Sequence, residues 1–130
     1  MKRRTAREKA LQALFQIDIN EVSPEEAIKN TLKNDESDDY LNSLVNGTYL
    51  HMKDIDETIS KYLEKWTIER LAKVDLNILR LGVYELIYVD EVPANVAINE
   101  ALEVSKRFAD DQSTKFINGV LSKIKDNIAK

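Results

Sequence analysis

The sequence predicts an all-α protein, and two observations carry that prediction. Only three glycines and two prolines occur in 130 residues, so the residues that make tight turns between strands are scarce. Apolar residues recur at spacings of three and four along most of the chain, which is the period of an amphipathic helix. With 43% hydrophobic and 32% charged residues, the chain can bury a core, and we expect residues 1–130 to form a single domain.

The first predicted helix runs from Thr5 to about Ile19. Thr5 and Glu8 have the spacing of a capping box, in which each side chain bonds the other residue's backbone N–H. Apolar residues then follow at helical spacing, as in Leu11 and Leu14. This pattern predicts an ordered helix that starts inside the basic opening of the chain.

The next three helices follow from capping signals and apolar spacing. Ser23 is a predicted N-cap, with Pro24 in the first turn, where its missing N–H costs nothing. Residues 34–38 form an acidic loop, and a third helix begins at Asp39. A fourth helix is predicted to end near Trp66.

The second half continues in the same way. Residues 67–70 predict a short helical turn, and Asp75 is a plausible N-cap for the helix after it. Residues 83–89 have some β-propensity but continue the helical apolar stripe, so we predict helix there. After Pro93 the chain restarts in another helix.

The last predicted helix is capped by the pair Asp110 and Asp111 and extends to Ile128. Gly119 lies inside it. A glycine within a helix costs about 1 kcal/mol relative to alanine. We therefore expect another helix to pass close to Gly119.

Catalytic, metal and cofactor sites are not expected. The absence of cysteine excludes disulfides, thiolate zinc sites and a cysteine nucleophile. His51 is the only histidine, and three scattered glycines cannot build a phosphate-binding loop. The adjacent acid pairs fall at predicted helix starts, where negative charge complements the helix dipole.

A cytoplasmic location without membrane contact is also expected. The lack of cysteine fits a reducing compartment. Polar residues interrupt the opening at regular intervals, so it contains no apolar core of a secretory signal. The chain has no apolar run of the ~18 residues that a membrane span requires.

The opening is basic although the chain is acidic, with 19 Lys and Arg, 23 Asp and Glu and a net charge of −4. Positive charge in the first turn of a helix opposes the macrodipole and costs roughly 0.3–1 kcal/mol. This cost favours an anionic partner over a solvated tail, and arginine matches phosphate geometry, so nucleic acid is the leading candidate. The residues expected to bind it are Lys2, Arg3, Arg4 and Arg7.

A second candidate patch lies at the start of the last helix. Gln112 and Ser113 supply polar groups, Lys115 adds positive charge, and Phe116 could either pack in the core or stack on an unpaired base. Stacking together with polar edges favours single-stranded RNA over a duplex.

Several stretches together give a family resemblance over nearly the whole chain. They are RRTARE at 3–8, ALQALF at 10–15, LRLGVYEL at 79–86, VP at 92–93, VAINEA at 96–101 and KFINGVL at 115–121. In this order and at these distances, the chain resembles the NusB family of bacterial transcription antitermination proteins.

The resemblance implies about seven helices in two packed halves, no enzymatic activity and no small-molecule substrate. It implies binding of the single-stranded boxA element of ribosomal RNA leader transcripts, together with NusE, a small-subunit ribosomal protein. Other Nus factors and RNA polymerase would complete the complex that suppresses premature termination. The resemblance places Arg3, Arg4, Arg7, Gln112, Lys115 and Phe116 at RNA-contacting positions, and Phe15 and Asp75 at positions implicated in partner contact.

Two alternatives stay open. A similar domain serves as the RNA-binding module of some ribosomal RNA cytosine methyltransferases, but the sequence to Lys130 shows no cofactor-binding domain. The other alternative is a helical adaptor that binds only protein, with its basic end against an acidic partner.

Overall fold

Seven α-helices and one short 3-10 turn form the fold in the computed structural model, which describes residues 1–128. The helices are α1 (Arg3–Asn20), α2 (Pro24–Leu32), α3 (Asp39–Leu50), α4 (Met52–Lys61), α5 (Lys73–Tyr88), α6 (Ala94–Phe108) and α7 (Asp111–Asp126), and the 3-10 turn is Ile68–Arg70. The all-α prediction is confirmed, including helix through most of 83–89. None of the described helices is long and apolar enough to cross a membrane.

The buried side chains form two clusters, which confirms the expected two halves. One cluster joins α1, α2 and α3, and the fully buried Ala6, Ala10 and Ala13 allow α1 to lie close to its neighbours. The other cluster joins α4, α5, α6 and α7. Leu11 of α1 belongs to the second cluster and Leu81 of α5 to the first, so these two helices connect the halves.

Three helices begin at side chains that cap them. Ser23, Asp38 and Asp110 each accept a hydrogen bond from the backbone N–H three residues later. The predicted caps at Ser23 and Asp110 are confirmed. These signals are local in sequence, so the pattern alone reveals them.

The predicted capping box at Thr5 and Glu8 is wrong. The first helix begins at Arg3, and its N-cap Lys2 makes no side-chain capping hydrogen bond, so Thr5 lies inside the helix. The guanidinium of Arg3 lies over the ring of Tyr40 in α3, 4.0 Å from its centroid. Such tertiary contacts hold the first turn in helical form without a capping side chain.

Two further boundaries differ from the prediction. Helix α5 begins at Lys73 rather than after an N-cap at Asp75, because the Asp75 carboxylate accepts a hydrogen bond from Ser113 of α7 instead of capping its own helix. Helix α4 ends at Lys61, five residues before Trp66. The segment that follows it therefore carries Trp66 outside the helices.

The close helix contact expected at Gly119 is also wrong. A Cβ atom at that position would meet no atom within 4 Å. The close approaches are instead at Gly47 of α3, where a Cβ would overlap the ring of Tyr84, and at Gly82 of α5, where a Cβ would lie 3.0 Å from Cδ1 of Leu121 and 3.5 Å from Cβ of Ala101. Helical spacing predicts that a glycine lies in a helix, but it does not predict which element packs against the glycine.

Candidate RNA interface

The N-cap and first turn of α1 expose three basic residues, Lys2, Arg3 and Arg4. Arg4 donates from Nε and Nη2 to the two carboxylate oxygens of Glu100 in α6, at 3.2 and 2.8 Å, and its side chain remains 55% exposed. Since Arg3 lies on Tyr40, two of the three cations are oriented by neighbouring helices. This part of the expected site is accessible to a ligand.

Arg7 is placed differently, because its side chain is only 6% exposed. It donates from Nε and Nη2 to the Glu85 carboxylate at 2.7 and 2.9 Å, and from Nη1 to Glu100 at 3.1 Å. The expectation that Arg7 presents its guanidinium to RNA does not fit this placement. Its charge is used inside the protein, where it fixes α1 to α5 and α6.

The carboxylates of Glu85 and Glu100 pair with the arginines at the start of α1. The Tyr40 hydroxyl donates to Glu85, and burial raises the pKa of Tyr40, with that hydrogen bond acting in the same direction. The hydrogen bond from Arg4 lowers the pKa of Glu100, so its carboxylate stays charged at neutral pH. The Glu100 carboxylate thus accepts hydrogen bonds from both Arg4 and Arg7.

The second expected patch lies at the start of α7. Gln112 and Lys115 are exposed, and Ser113 donates from Oγ to Oδ2 of Asp75 at 3.0 Å. Burial raises the pKa of the Asp75 carboxyl. The backbone N–H of Ser113 lowers the pKa of Asp110, which is the N-cap of this helix.

Phe116 packs against the core and also keeps part of its ring exposed, so its position allows both core packing and stacking. It is half-buried against the core of the second half, and the rest of its ring lines two neighbouring grooves. One groove includes Asp75, Gln112 and Ser113, and the other includes Lys115. An unpaired base has access to the exposed part of this ring.

Helix α6 connects the two patches. Its Glu100 holds the first turn of α1, and its Arg107 donates to Glu8 of α1 at 2.9 Å. The hydroxyls of Ser105 and Thr114 are 2.7 Å apart and tie the first turn of α7 to the same helix. Glu100 and Ser105, the contacts of α6 with the two patches, are about 7.5 Å apart along the axis. The two patches are therefore fixed to neighbouring turns of one rigid element.

The two predicted partner-contact residues lie apart. Asp75 joins the second patch through its hydrogen bond with Ser113. Phe15 is half-buried on α1, about 18 Å along the helix axis from Arg3. The structure thus brings Asp75 beside the candidate RNA contacts and leaves Phe15 on a different part of α1.

Three side chains join this surface that the sequence did not single out. Arg107 is 65% exposed beside α1, Arg70 lines the groove of Asp75, and Trp66 lines both grooves with Phe116. In the sequence, Arg107 could have been recognised as part of the basic pair Lys106 and Arg107, which comes shortly before the last helix. The signal for Trp66 was the only tryptophan of the chain in a polar segment.

His51 belongs to an aromatic stack. Its ring centroid is 4.1 Å from that of Tyr88 at an interplanar angle of 14°, and Tyr84 stacks beside Tyr88. Within residues 1–128, no three His, Asp or Glu side chains converge as metal ligands would. In this structure the histidine has a packing role.

Comparison with known proteins adds to this geometry. Residues 4–126 match the model of the NusB family. The chain is 54% identical over 128 residues to transcription antitermination protein NusB of Bacillus velezensis and 53% identical to that of Bacillus subtilis, covering 98% of each chain in both comparisons.

Solved structures agree with the sequence comparison. T. maritima NusB superposes with a TM-score of 0.91 at 34% identity, covering 100% of this chain and 94% of that one. The chain is also similar to one in a crystal structure of antitermination factors NusB and NusE in complex with double-stranded RNA. That TM-score is 0.89 at 34% identity, with 97% of both chains covered.

Proposed function

This chain belongs to the NusB family, and we propose that it is a transcription antitermination factor that binds RNA together with NusE. Its relatives are transcription antitermination proteins and not enzymes, in agreement with the expectation of a non-enzymatic protein. In the proposed role it acts in the cytoplasm with other Nus factors and RNA polymerase, and suppresses premature termination.

The observation that carries the proposal is the basic first turn of α1 on an acidic protein. Lys2, Arg3 and Arg4 are exposed together at a helix start that has no acidic residue in its first turn. Guanidinium groups and the positive end of the helix dipole both favour phosphate. The net charge of −4 disfavours binding of a polyanion over the rest of the acidic surface.

The RNA that we propose is the single-stranded boxA element of ribosomal RNA leader transcripts. A half-exposed ring such as Phe116 can stack only on a base that is free of its own partners. Gln112 and Lys115 lie beside that ring, where the amide of Gln112 could bond a base edge and the ammonium of Lys115 could neutralise a phosphate. A similar protein of the family has been crystallised with double-stranded RNA, so both RNA forms belong in the test.

The deciding experiment is the affinity for fluorescein-labelled boxA RNA, with and without NusE, measured by fluorescence anisotropy. A scrambled RNA of equal length and a duplex form of boxA are the controls. We expect single-stranded boxA to bind most tightly and NusE to increase its affinity. Equal affinity for boxA and scrambled RNA in both conditions would contradict the proposal and favour the protein-only adaptor.

A further inference from the structure

We propose that Trp66 is a second stacking platform for single-stranded RNA, so that a strand bound at Phe116 continues over the indole ring. This inference rests on the proposed RNA binding and adds a site beyond the two expected patches. The ligand class is a single-stranded segment of RNA with at least two unpaired bases.

Trp66 is exposed although it is the largest apolar side chain of the protein. It is 52% exposed and lies in the segment between α4 and the 3-10 turn. Aromatic rings that stay on the surface beside polar groups are typical of binding sites. The segment that carries Trp66 is held on either side, because Leu63 and Ile68 pack against the core.

Phe116 and Trp66 both line two adjoining grooves, and the chemistry of the two grooves differs. One groove contains the exposed Lys65 and Lys115, together with Lys123, which is ion-paired with Glu64. This side supplies positive charge for phosphate groups.

The other groove contains hydrogen-bonding groups. Asp75, Gln112 and Ser113 line it, together with Arg70. The Asp75 carboxylate can accept hydrogen bonds from the amino or imino groups of a base, and the Gln112 amide can both donate and accept. Base edges therefore fit this side.

The arrangement matches single-stranded RNA better than a duplex or a peptide. Single strands combine regularly spaced phosphates with flat rings that are free to stack, and the site combines lysines with two aromatic side chains. In a duplex the base faces are already stacked inside the helix and are unavailable to Phe116 and Trp66. A purely apolar peptide would leave the lysines of the first groove without counter-charges.

Trp66 also provides the test, because it is the only tryptophan of the chain. The intact protein is titrated with single-stranded boxA RNA, with and without NusE, while anisotropy of a fluorescein label follows binding independently. We expect quenching of the tryptophan emission with the same midpoint as the anisotropy change, and protection of Trp66 from acrylamide in the complex. In the titration with NusE, the change in tryptophan emission is taken relative to the change seen when NusE alone is titrated with the same RNA.

The outcomes separate this inference from the proposed function. If RNA binds but the emission and acrylamide access of Trp66 stay unchanged, the inference is wrong and the proposed function stands. If no RNA binds under either condition, the proposed function is wrong and the inference falls with it. Quenching by duplex boxA as strong as by the single strand would refute stacking on unpaired bases.

Three variants test the role of the ring. Trp66→Ala should weaken single-stranded RNA binding roughly 5- to 100-fold, as expected for the loss of one stacked base, while Trp66→Phe should retain most of the affinity. Leu50→Ala is the matched control, since Leu50 is 77% exposed at the end of α3 and lines neither groove. Wild-type affinity in Trp66→Ala, or an equal loss in both Trp66 variants, would overturn the inference. Thermal unfolding of each variant confirms that the fold is retained.

Discussion

Arg4 and Arg7 share the carboxylate of Glu100, yet they have opposite environments. The Arg4 side chain is 55% exposed and that of Arg7 is 6% exposed. The spacing of three residues places both on neighbouring positions of one helix face. What separates them is Glu85, a residue 78 positions away in sequence, which draws Arg7 inward. Local sequence therefore identifies the basic cluster but not which of its members is buried.

Arg7→Ala should destabilise the fold. The substitution leaves the buried Glu85 with less positive charge to compensate it, and breaking a buried ion pair typically costs about 3–5 kcal/mol. Arg4→Ala is the control, because the Arg4 side chain is 55% exposed and solvent screens its ion pair. The measurement is the free energy of unfolding in urea at neutral pH. Equal values for the two variants would show that Arg7 is not a structural residue.

At the scale of the elements, helix starts were predictable where the cap is local. Ser23 and Asp110 lie three residues before the N–H groups that they bind, so a four-residue pattern contains the whole interaction. The starts of α1 and α5 depend on contacts with other helices, through Tyr40 for Arg3 and through Ser113 for Asp75. No local pattern contains those contacts, and the same reason explains the error at Gly119.

Two of the three helical glycines, Gly119 and Gly82, should respond in opposite ways to alanine. Gly119→Ala should stabilise the protein by about 1 kcal/mol, since its Cβ enters open space and alanine is the better helix former. Gly82→Ala should destabilise it, because its Cβ would press against Leu121 at 3.0 Å where α5 meets α7. Thermal unfolding of both variants checks this pair. A stabilised Gly82→Ala would mean that Leu121 moves aside without cost.

At the scale of the whole molecule, the charge distribution separates a small basic surface from an acidic body. The net charge is −4, and the exposed cations of the first turn of α1 stand out against it. A polyanion is attracted to the exposed basic side chains and repelled by the acidic body, so few phosphate contacts can form. The salt dependence of binding therefore reports on a few named residues.

Arg4→Ala should weaken binding of single-stranded boxA RNA and reduce the salt slope. Each lost phosphate contact lowers the slope of log K against log salt concentration by ~0.7 for single strands. Lys29→Ala is the matched control, because Lys29 is also exposed but lies near the end of α2, outside both patches. The measurement is a series of anisotropy titrations at increasing salt. An unchanged slope in Arg4→Ala would show that Arg4 does not contact phosphate.

Two features of the sequence predicted the overall fold. Helical spacing and scarce turn residues predicted the all-α class, and the quoted motifs predicted the division into two halves through family resemblance. The groove of Trp66 was not accessible, because it forms where residues 62–75 meet residues 110–123 and neither segment has a pattern that specifies the other. A site formed by two segments that are far apart in sequence can be recognised only in the folded structure, where packing of the core brings the segments together.

The uncapped start of α1 has one further consequence. Helix geometry leaves the first backbone N–H groups without acceptors within the helix, and Lys2 offers no side-chain cap. An RNA phosphate bound at this turn would accept hydrogen bonds from these N–H groups, so RNA binding and helical order in the first turn would favour each other. A change that disorders this turn should then weaken RNA binding, and a change that orders it should strengthen RNA binding.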